Sequence, residues 1–340
     1  MSTETFNGEA ASAGSASGGT GQVPPTGVIH DIGYRDYEGE RVGRAGIVRA
    51  LYGHSLRSAF GIGRGSRAKV VQTIAFVIMC LPAVVNAFTV SRTGAMAERY
   101  DDYIYNFQLI LVLYLAATTP ELISRDLRNR TLPLYFSRPP RRSDYPIAKI
   151  AALVTALLAL TAIPELLLYA GTVSSQHSAT EVWDQTKAFI PGLGIALGYS
   201  IVFAAIAAVL TCYTGRRAFA TGAVAVVFFG SFILSGVMIH VTGGFGSRGH
   251  FVANPGGNGG IFIPSPPLAT TPTGAQIAGM LNPANLLEGL RVWIVGHGNP
   301  DARTVPYPST LGGVYLIATI GLTAICVLLM IRRYQKASLL

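Results

Sequence analysis

The sequence predicts an all-α membrane protein with six transmembrane helices, an N-terminal interfacial helix and a large extracellular loop before the last helix. Three observations carry this. First, apolar stretches at 70–91, 103–121, 147–171, 188–213, 218–241 and 310–331 are each long enough to cross a membrane. A hydrocarbon core about 30 Å thick needs about 20 helical residues at a rise of about 1.5 Å each. Second, 20 of the 26 Lys and Arg fall in 35–69, 122–149, 214–217 and 332–336, while only 6 fall in the alternate connections 91–103, 172–187 and 242–309. Cytoplasmic loops collect basic residues, so the chain is expected as a multi-pass protein of the cytoplasmic membrane with both termini in the cytoplasm. Third, lipid offers backbone groups no partner outside their own segment, and no stretch alternates at the period of two that a barrel requires.

The elements follow in chain order. Residues 1–27 are rich in Ser, Gly, Ala and Thr, which predicts a disordered tail. They have neither the charged start nor the apolar core of a secretory signal. Residues 28–69 form a cytoplasmic leader. Within it Arg44 to Phe60 reads as a helix, with Ile47, Val48, Leu51, Tyr52, Ser55, Leu56 and Ala59 on one face and Arg44, Arg49, His54 and Arg57 at its margins or opposite. Such a helix floats its apolar side in the headgroup boundary and turns its cations to anionic lipid. An extension of the first span bent at Gly61, Gly63 and Gly65 is the other reading.

Pro82, Pro120, Pro164 and Pro191 are expected at kinks or ends of spans. Gly194 and Gly198 have the spacing that lets helices approach closely. Tyr100, Tyr103, Tyr105 and Phe107 read as an interfacial belt at the start of the second span, or as substrate contacts. The extracellular loop 242–309 opens with a Gly- and Pro-rich run. Asn282 and Pro283 then predict a helix start, followed by Leu286, Leu287, Leu290, Trp293 and Ile294 on one face and a stop at Gly296. The tail 332–340 is expected in the cytoplasm.

Several function classes drop out. Half of the residues are hydrophobic and 13% are charged, and the net charge of +9 is accounted for by loops facing an anionic leaflet rather than by nucleic acid. Cys80, Cys212 and Cys326 lie in or at the end of three different apolar stretches and read as buried thiols rather than a disulfide framework. His177, His240, His250 and His297 lack the short fixed spacing of metal ligands. No paired acid, nucleophile or metal set lies inside the spans, and GxxxxGK[ST] is absent, so the chain is read as a non-enzyme without a catalytic or metal site. Glu165 is the one acidic residue in the interior of the predicted spans, Glu121 being the last residue of its window. Glu165 reads either as a contact in a translocation path or as a protonated group bonded to backbone freed by Pro164.

The loop 122–146 concentrates the remaining signal. Asp126 and Arg130 stand at a favourable helical spacing, and Leu122, Ile123 and Leu127 can share a neighbouring face. A short charged helix at the base of two membrane helices would serve as a lever. Asp126, Asn129, Thr131, Leu132, Pro139, Arg142 and Lys149 also follow the pattern acidic-x-x-Asn-Gly-Thr-Leu, Pro, basic, Gly-Lys with its usual spacing, except that Arg130 and Ala148 stand in place of the glycines.

In this pattern, and in its topology, the chain resembles the permease subunits of type-2 ABC exporters over residues 44–335. Residues Gly33 to Gly39 are similar to the leader of a large actinobacterial subset of them. The resemblance implies that Asp126, Arg128, Asn129, Arg130, Thr131, Leu132, Pro139 and Arg142 couple to a separate ABC ATPase subunit, which would carry ATP and magnesium while this chain binds no cofactor. Arg141 and Arg142 would pair with that subunit or with lipid phosphates. It further implies a second permease copy or sibling, contact with membrane lipids, and export of a hydrophobic or amphipathic substrate. An ion- or proton-coupled secondary transporter and an intramembrane enzyme are the alternatives.

Overall fold

The computed structural model describes residues 43–63, 66–94, 96, 99–124, 126, 141–214, 216–242, 250–253, 260–263, 272–295 and 311–337. These residues form ten α-helices, one π turn and one two-stranded hairpin. The expectations for residues 1–42, and for Arg128, Asn129, Arg130, Thr131, Leu132 and Pro139, lie outside the described residues.

Helix α1 (Arg44–Ala59) is separate from α2 (Ser66–Thr93), so it is not an extension of the first span. The chain turns at Gly61 and Gly63, whose positive φ angles of 70° and 84° suit residues without a Cβ. The predicted face is the one α1 turns inward: Ser55 and Ala59 are buried, Arg44, Arg49, His54 and Arg57 are exposed, and Tyr52 donates to Thr155 Oγ1 at 2.9 Å.

The second predicted span is broken. α3 (Tyr100–Asn106) and α4 (Gln108–Thr119), the latter extended by the π turn Pro120–Ser124, meet at 55° around Phe107. Helix α5 (Asp144–Ser174) begins earlier than the predicted residue 147. Helix α6 (Ala179–Tyr213) begins nine residues before the predicted 188, so most of the expected connection 172–187 is helical. Ser178 explains the early start, because its hydroxyl accepts from the Glu181 N–H at 3.3 Å and caps the helix. α7 (Arg217–Val241) matches its predicted window.

The long loop holds a hairpin that the sequence did not announce, β1 (His250–Ala253) paired antiparallel with β2 (Gly260–Ile263). It is the one departure from an all-helical chain among the described residues. Next come α8 (Thr273–Gly279), also unforeseen, and α9 (Pro283–Val295), where Asn282 Oδ1 accepts from the Ala284 N–H at 3.1 Å as the capping signal requires. α10 (Gly312–Ala337) continues through most of the expected tail 332–340.

Helices α2, α5, α6, α7 and α10 are each long and apolar enough to span a membrane, and the bent pair α3–α4 passes the same test when taken together. Five such helices establish a multi-pass membrane protein. Their burial differs: 61% of the apolar window is enclosed in α6 and 50% in α5, against 28% in α2 and 22% in both α7 and α10. α5 and α6 are therefore the pillars around which the others stand. The exposed faces of the outer helices carry Val77, Leu81, Phe88, Phe232, Ile233 and Ile317, side chains suited to lipid.

Close approach is set by glycines other than the predicted pair. Gly194 has open space around it and Gly198 only an ordinary contact with Leu287, whereas a Cβ on Gly171 would collide with Ala87 and one on Gly192 would press on Tyr100 at 3.0 Å. The predicted aromatic belt is likewise corrected. Tyr100 and Tyr103 are buried in the core, and Tyr103 donates to the Met79 carbonyl.

Candidate coupling site and a buried charge cluster

Several helix ends converge where the chain enters and leaves the loop that begins after Ser124. Pro120 has no N–H to continue the ladder of α4, and the chain leaves through a π turn. From that turn the Ser124 hydroxyl donates to the Thr211 carbonyl at 3.4 Å and to that of Thr214 at 3.2 Å, in the last turn of α6 and just beyond it. Glu121 forms an ion pair with Arg217, the first residue of α7.

Asp126 is held from α5. Lys149 Nζ lies 2.9 Å from Asp126 Oδ2 and also donates to the Leu122 carbonyl at 3.1 Å, and Tyr145 donates to the same carboxylate oxygen at 2.5 Å. Lys149 is only 3% exposed. A buried ammonium needs a counter-charge and hydrogen-bond acceptors, and it has both here. The Tyr145 ring packs 5.2 Å from that of Tyr334 in α10.

On the other side, Arg44 of α1 makes a two-pronged contact with Asp144, both at 2.6 Å, and Asp144 also accepts the Arg141 N–H at 2.9 Å. Arg142 is exposed beside this junction. The predicted lever is therefore rooted at both ends in α1, α4, α5, α6, α7 and α10, with Leu122 and Ile123 buried at its base. Of the predicted coupling residues, Asp126 and Arg142 are described, and only Asp126 is tied into the bundle.

At the opposite end stands a cluster that the sequence reading missed. Arg291 of α9 is 0% exposed. Its Nε is 2.9 Å from Glu288 Oε2, Nη1 is 2.5 Å from Asp101 Oδ2 and Nη2 is 2.7 Å from Asp102 Oδ1, with a further contact from Nη2 to Glu288 Oε1. Asp101 also meets the half-exposed Arg99 at 3.2 Å. Burial pushes the Glu288 carboxyl up against the pull of Arg291. It also works against the Arg291 charge, but Glu288, Asp102 and Asp101 outweigh it and hold that guanidinium charged.

The predicted face of α9 is revised accordingly. Leu286 and Leu287 are buried as expected, but so are Asn285, Glu288 and Arg291, while Trp293 and Ile294 are 46% and 63% exposed. Asn285 accepts from the Tyr105 hydroxyl at 3.3 Å and donates to Ser235 Oγ at 3.3 Å, which joins α9 to α3 and α7. The available signal was Glu288 and Arg291 three apart in an otherwise apolar helix, together with the acidic pair at 101 and 102.

Glu165 is also 0% exposed, and neither of its carboxylate oxygens has a hydrogen-bond partner among the described residues. It follows Pro164 inside α5, and Asp101 lies within electrostatic reach of it. It is not the only acidic residue in a spanning helix, because α5 begins at Asp144, α3 includes Asp101 and Asp102, and α6 begins early enough to include Glu181 and Asp184. Among the described residues no group of three His, Cys, Asp or Glu could hold a metal ion. Cys212 and Cys326 are buried and Cys80 is half-buried, and none of the three is in a disulfide. No protein-family model matches the chain, and a search of the curated proteins finds no match.

Proposed function

We propose that the chain is the membrane-spanning permease subunit of an ATP-binding-cassette exporter. It would work as a pair, with an identical copy or a sibling, and would be driven by ATP and magnesium on a separate ATPase subunit. Counting α3–α4 as one crossing gives six spans, with both termini on the cytoplasmic side of the cytoplasmic membrane, following the distribution of Lys and Arg.

One observation carries the reading. Asp126 and Lys149, the first and last residues of the loop motif, form an ion pair whose lysine is buried, and the neighbouring residues tie the same loop to six helices. A loop rooted in this way cannot shift without moving helix ends. ATP-driven closure of a partner beneath it would therefore be passed to α4, α5 and α7 rather than absorbed. The exported substrate is then hydrophobic or amphipathic and leaves between permease halves, while lipid covers the exposed apolar faces.

A second reading, ion- or proton-coupled secondary transport, is favoured by the enclosed carboxylate of Glu165. One experiment separates the two. The tagged chain is co-purified with an ATPase subunit bearing GxxxxGK[ST], reconstituted in liposomes, and followed for ATP hydrolysis and efflux. The exporter reading expects a stable complex in which Asp126→Ala and Thr131→Ala break the link between hydrolysis and efflux. Efflux by the purified chain alone under an ion gradient would establish the second reading instead.

A further inference from the structure

Glu165 sits in a place that calls for a positive charge. Its carboxylate is enclosed and unpartnered among the described residues, and the like-charged Asp101 lies within electrostatic reach of it. Asp101 belongs to a set that is itself short of cations. Asp101, Asp102 and Glu288 share Arg291, and Arg99, which meets Asp101, is half exposed to the surroundings. With Glu165 included, four carboxylates face two arginines.

What stands beside Glu165 is aromatic. Tyr169 is one turn further along the same face of α5, and its ring stacks on Phe189 of α6 at 4.6 Å. Tyr100 of α3 closes on Phe189 edge-on at 5.7 Å and bonds to Thr172, the next residue on that face. Aromatic walls beside a carboxylate suit an organic cation, whose charge meets the acid and whose body meets the rings. A metal ion is a poor occupant, because the described residues offer no group of three ligands.

A break in the chain's helical course lies in the same place. α3, which brings Tyr100 and Asp101 toward α5, is a seven-residue piece set at 55° to α4 by the break at Phe107. Broken helices of this kind commonly line transporter binding sites. Through Tyr100, α3 rests on Thr172 and Tyr169 of the α5 face that carries Glu165.

We propose that Glu165 receives the cationic head of the transported substrate, so that this chain handles lipophilic organic cations. The proposal rests on the transport reading, and names the cargo class within it. Its test does not need an ATPase. The full chain is purified in lipid nanodiscs, and equilibrium binding of radiolabelled tetraphenylphosphonium is measured for wild type, Glu165→Gln and Glu165→Asp, with uncharged triphenylphosphine oxide as competitor.

The expected result is saturable binding, weakened at least tenfold in Glu165→Gln, retained within about threefold in Glu165→Asp, and not competed by the neutral compound. Absence of saturable binding, equal binding by Glu165→Gln, or equal competition by the oxide overturns it. If Glu165→Gln does not fold, carbodiimide modification of Glu165 in the wild-type chain is read by mass spectrometry. Protection by tetraphenylphosphonium supports the proposal and lack of protection overturns it. Either negative result leaves the ATPase complex testable on its own, so failure of the cargo class and failure of the exporter reading are told apart.

Discussion

Lys149 Nζ lies 2.9 Å from Asp126 Oδ2, and through this pair the two ends of one loop are held against each other at the foot of the bundle. The lysine is almost fully enclosed, whereas the aspartate keeps 18% of its side-chain exposure. The two partners should therefore respond differently to mutation. Lys149→Met removes a buried charge and replaces it with an apolar chain of similar length, while leaving Asp126 with its Tyr145 bond and a route to solvent. Asp126→Ala removes the carboxylate that faces a buried ammonium. Removing one partner of a buried pair costs roughly 3–5 kcal/mol. That figure is expected for Asp126→Ala, with a smaller loss for Lys149→Met. Thermal unfolding in detergent checks the order, and equal loss in the two variants would show that the pair is not the anchor.

Arg291 should be the least replaceable cation among the described residues. It joins Glu288 to Asp101 and Asp102, and so adds to the Tyr105–Asn285 bond in tying α9 to α3. Arg291→Leu removes the cation that three buried carboxylates share and leaves Asp101 its contact with Arg99. Arg291→Lys should rescue little, because a single ammonium cannot reproduce the fork that reaches them in separate directions. Arg99→Ala, at a half-exposed site, should cost less than about 1 kcal/mol. Thermal midpoints in one detergent give the ranking Arg99→Ala, then Arg291→Lys, then Arg291→Leu, and inversion of the first two would sink the argument.

The parts of this fold that can be read from sequence are those set by length and composition. A run such as 218–241 must be a long helix, because an apolar segment of that size has no other way to satisfy its backbone in lipid. The α9 cap could be read because Asn282 and Pro283 act locally. What hydropathy does not report is which face meets protein and which meets lipid, since both are apolar. Hence Gly194 and Gly198 looked like a packing motif while Gly171 and Gly192 make the close approaches. The belt-like Tyr100 and Tyr103 turned out to be core for the same reason. The acids at 101 and 102 seemed to belong to a wet loop because their partner, Arg291, is 190 residues away from Asp101.

The orientation read from Lys and Arg can be tested at residues whose side chains are exposed. Arg142 precedes α5, and His177 follows it just before α6. Because α5 separates the two, Arg142→Cys and His177→Cys should react with a membrane-impermeant maleimide from opposite sides, in a background lacking the three native thiols. In intact cells only His177→Cys should label, and Arg142→Cys should label only after the membrane is opened. Labelling of Arg142→Cys in intact cells would invert the topology and remove the cytoplasmic partner from the proposal.

The α2–α5 contact offers a test in which two effects have opposite signs. Gly171 is inside α5, where alanine is favoured over glycine by about 1 kcal/mol as a helix former. The same substitution would drive a Cβ into the Cβ of Ala87 across the interface, and that neighbour is not a flexible tip that can turn aside. Overpacking of this kind costs roughly 1–3 kcal/mol. Gly171→Ala should therefore destabilise despite its better propensity, and Ala87→Gly added to it should recover most of the loss by exchanging which helix carries the methyl. Gly194→Ala, with nothing within 4 Å of the new Cβ, should show only the propensity gain. Thermal unfolding of the four proteins decides it. If Gly171→Ala proves as harmless as Gly194→Ala, α2 and α5 do not touch at this point, and the α2–α5 packing described above is wrong there.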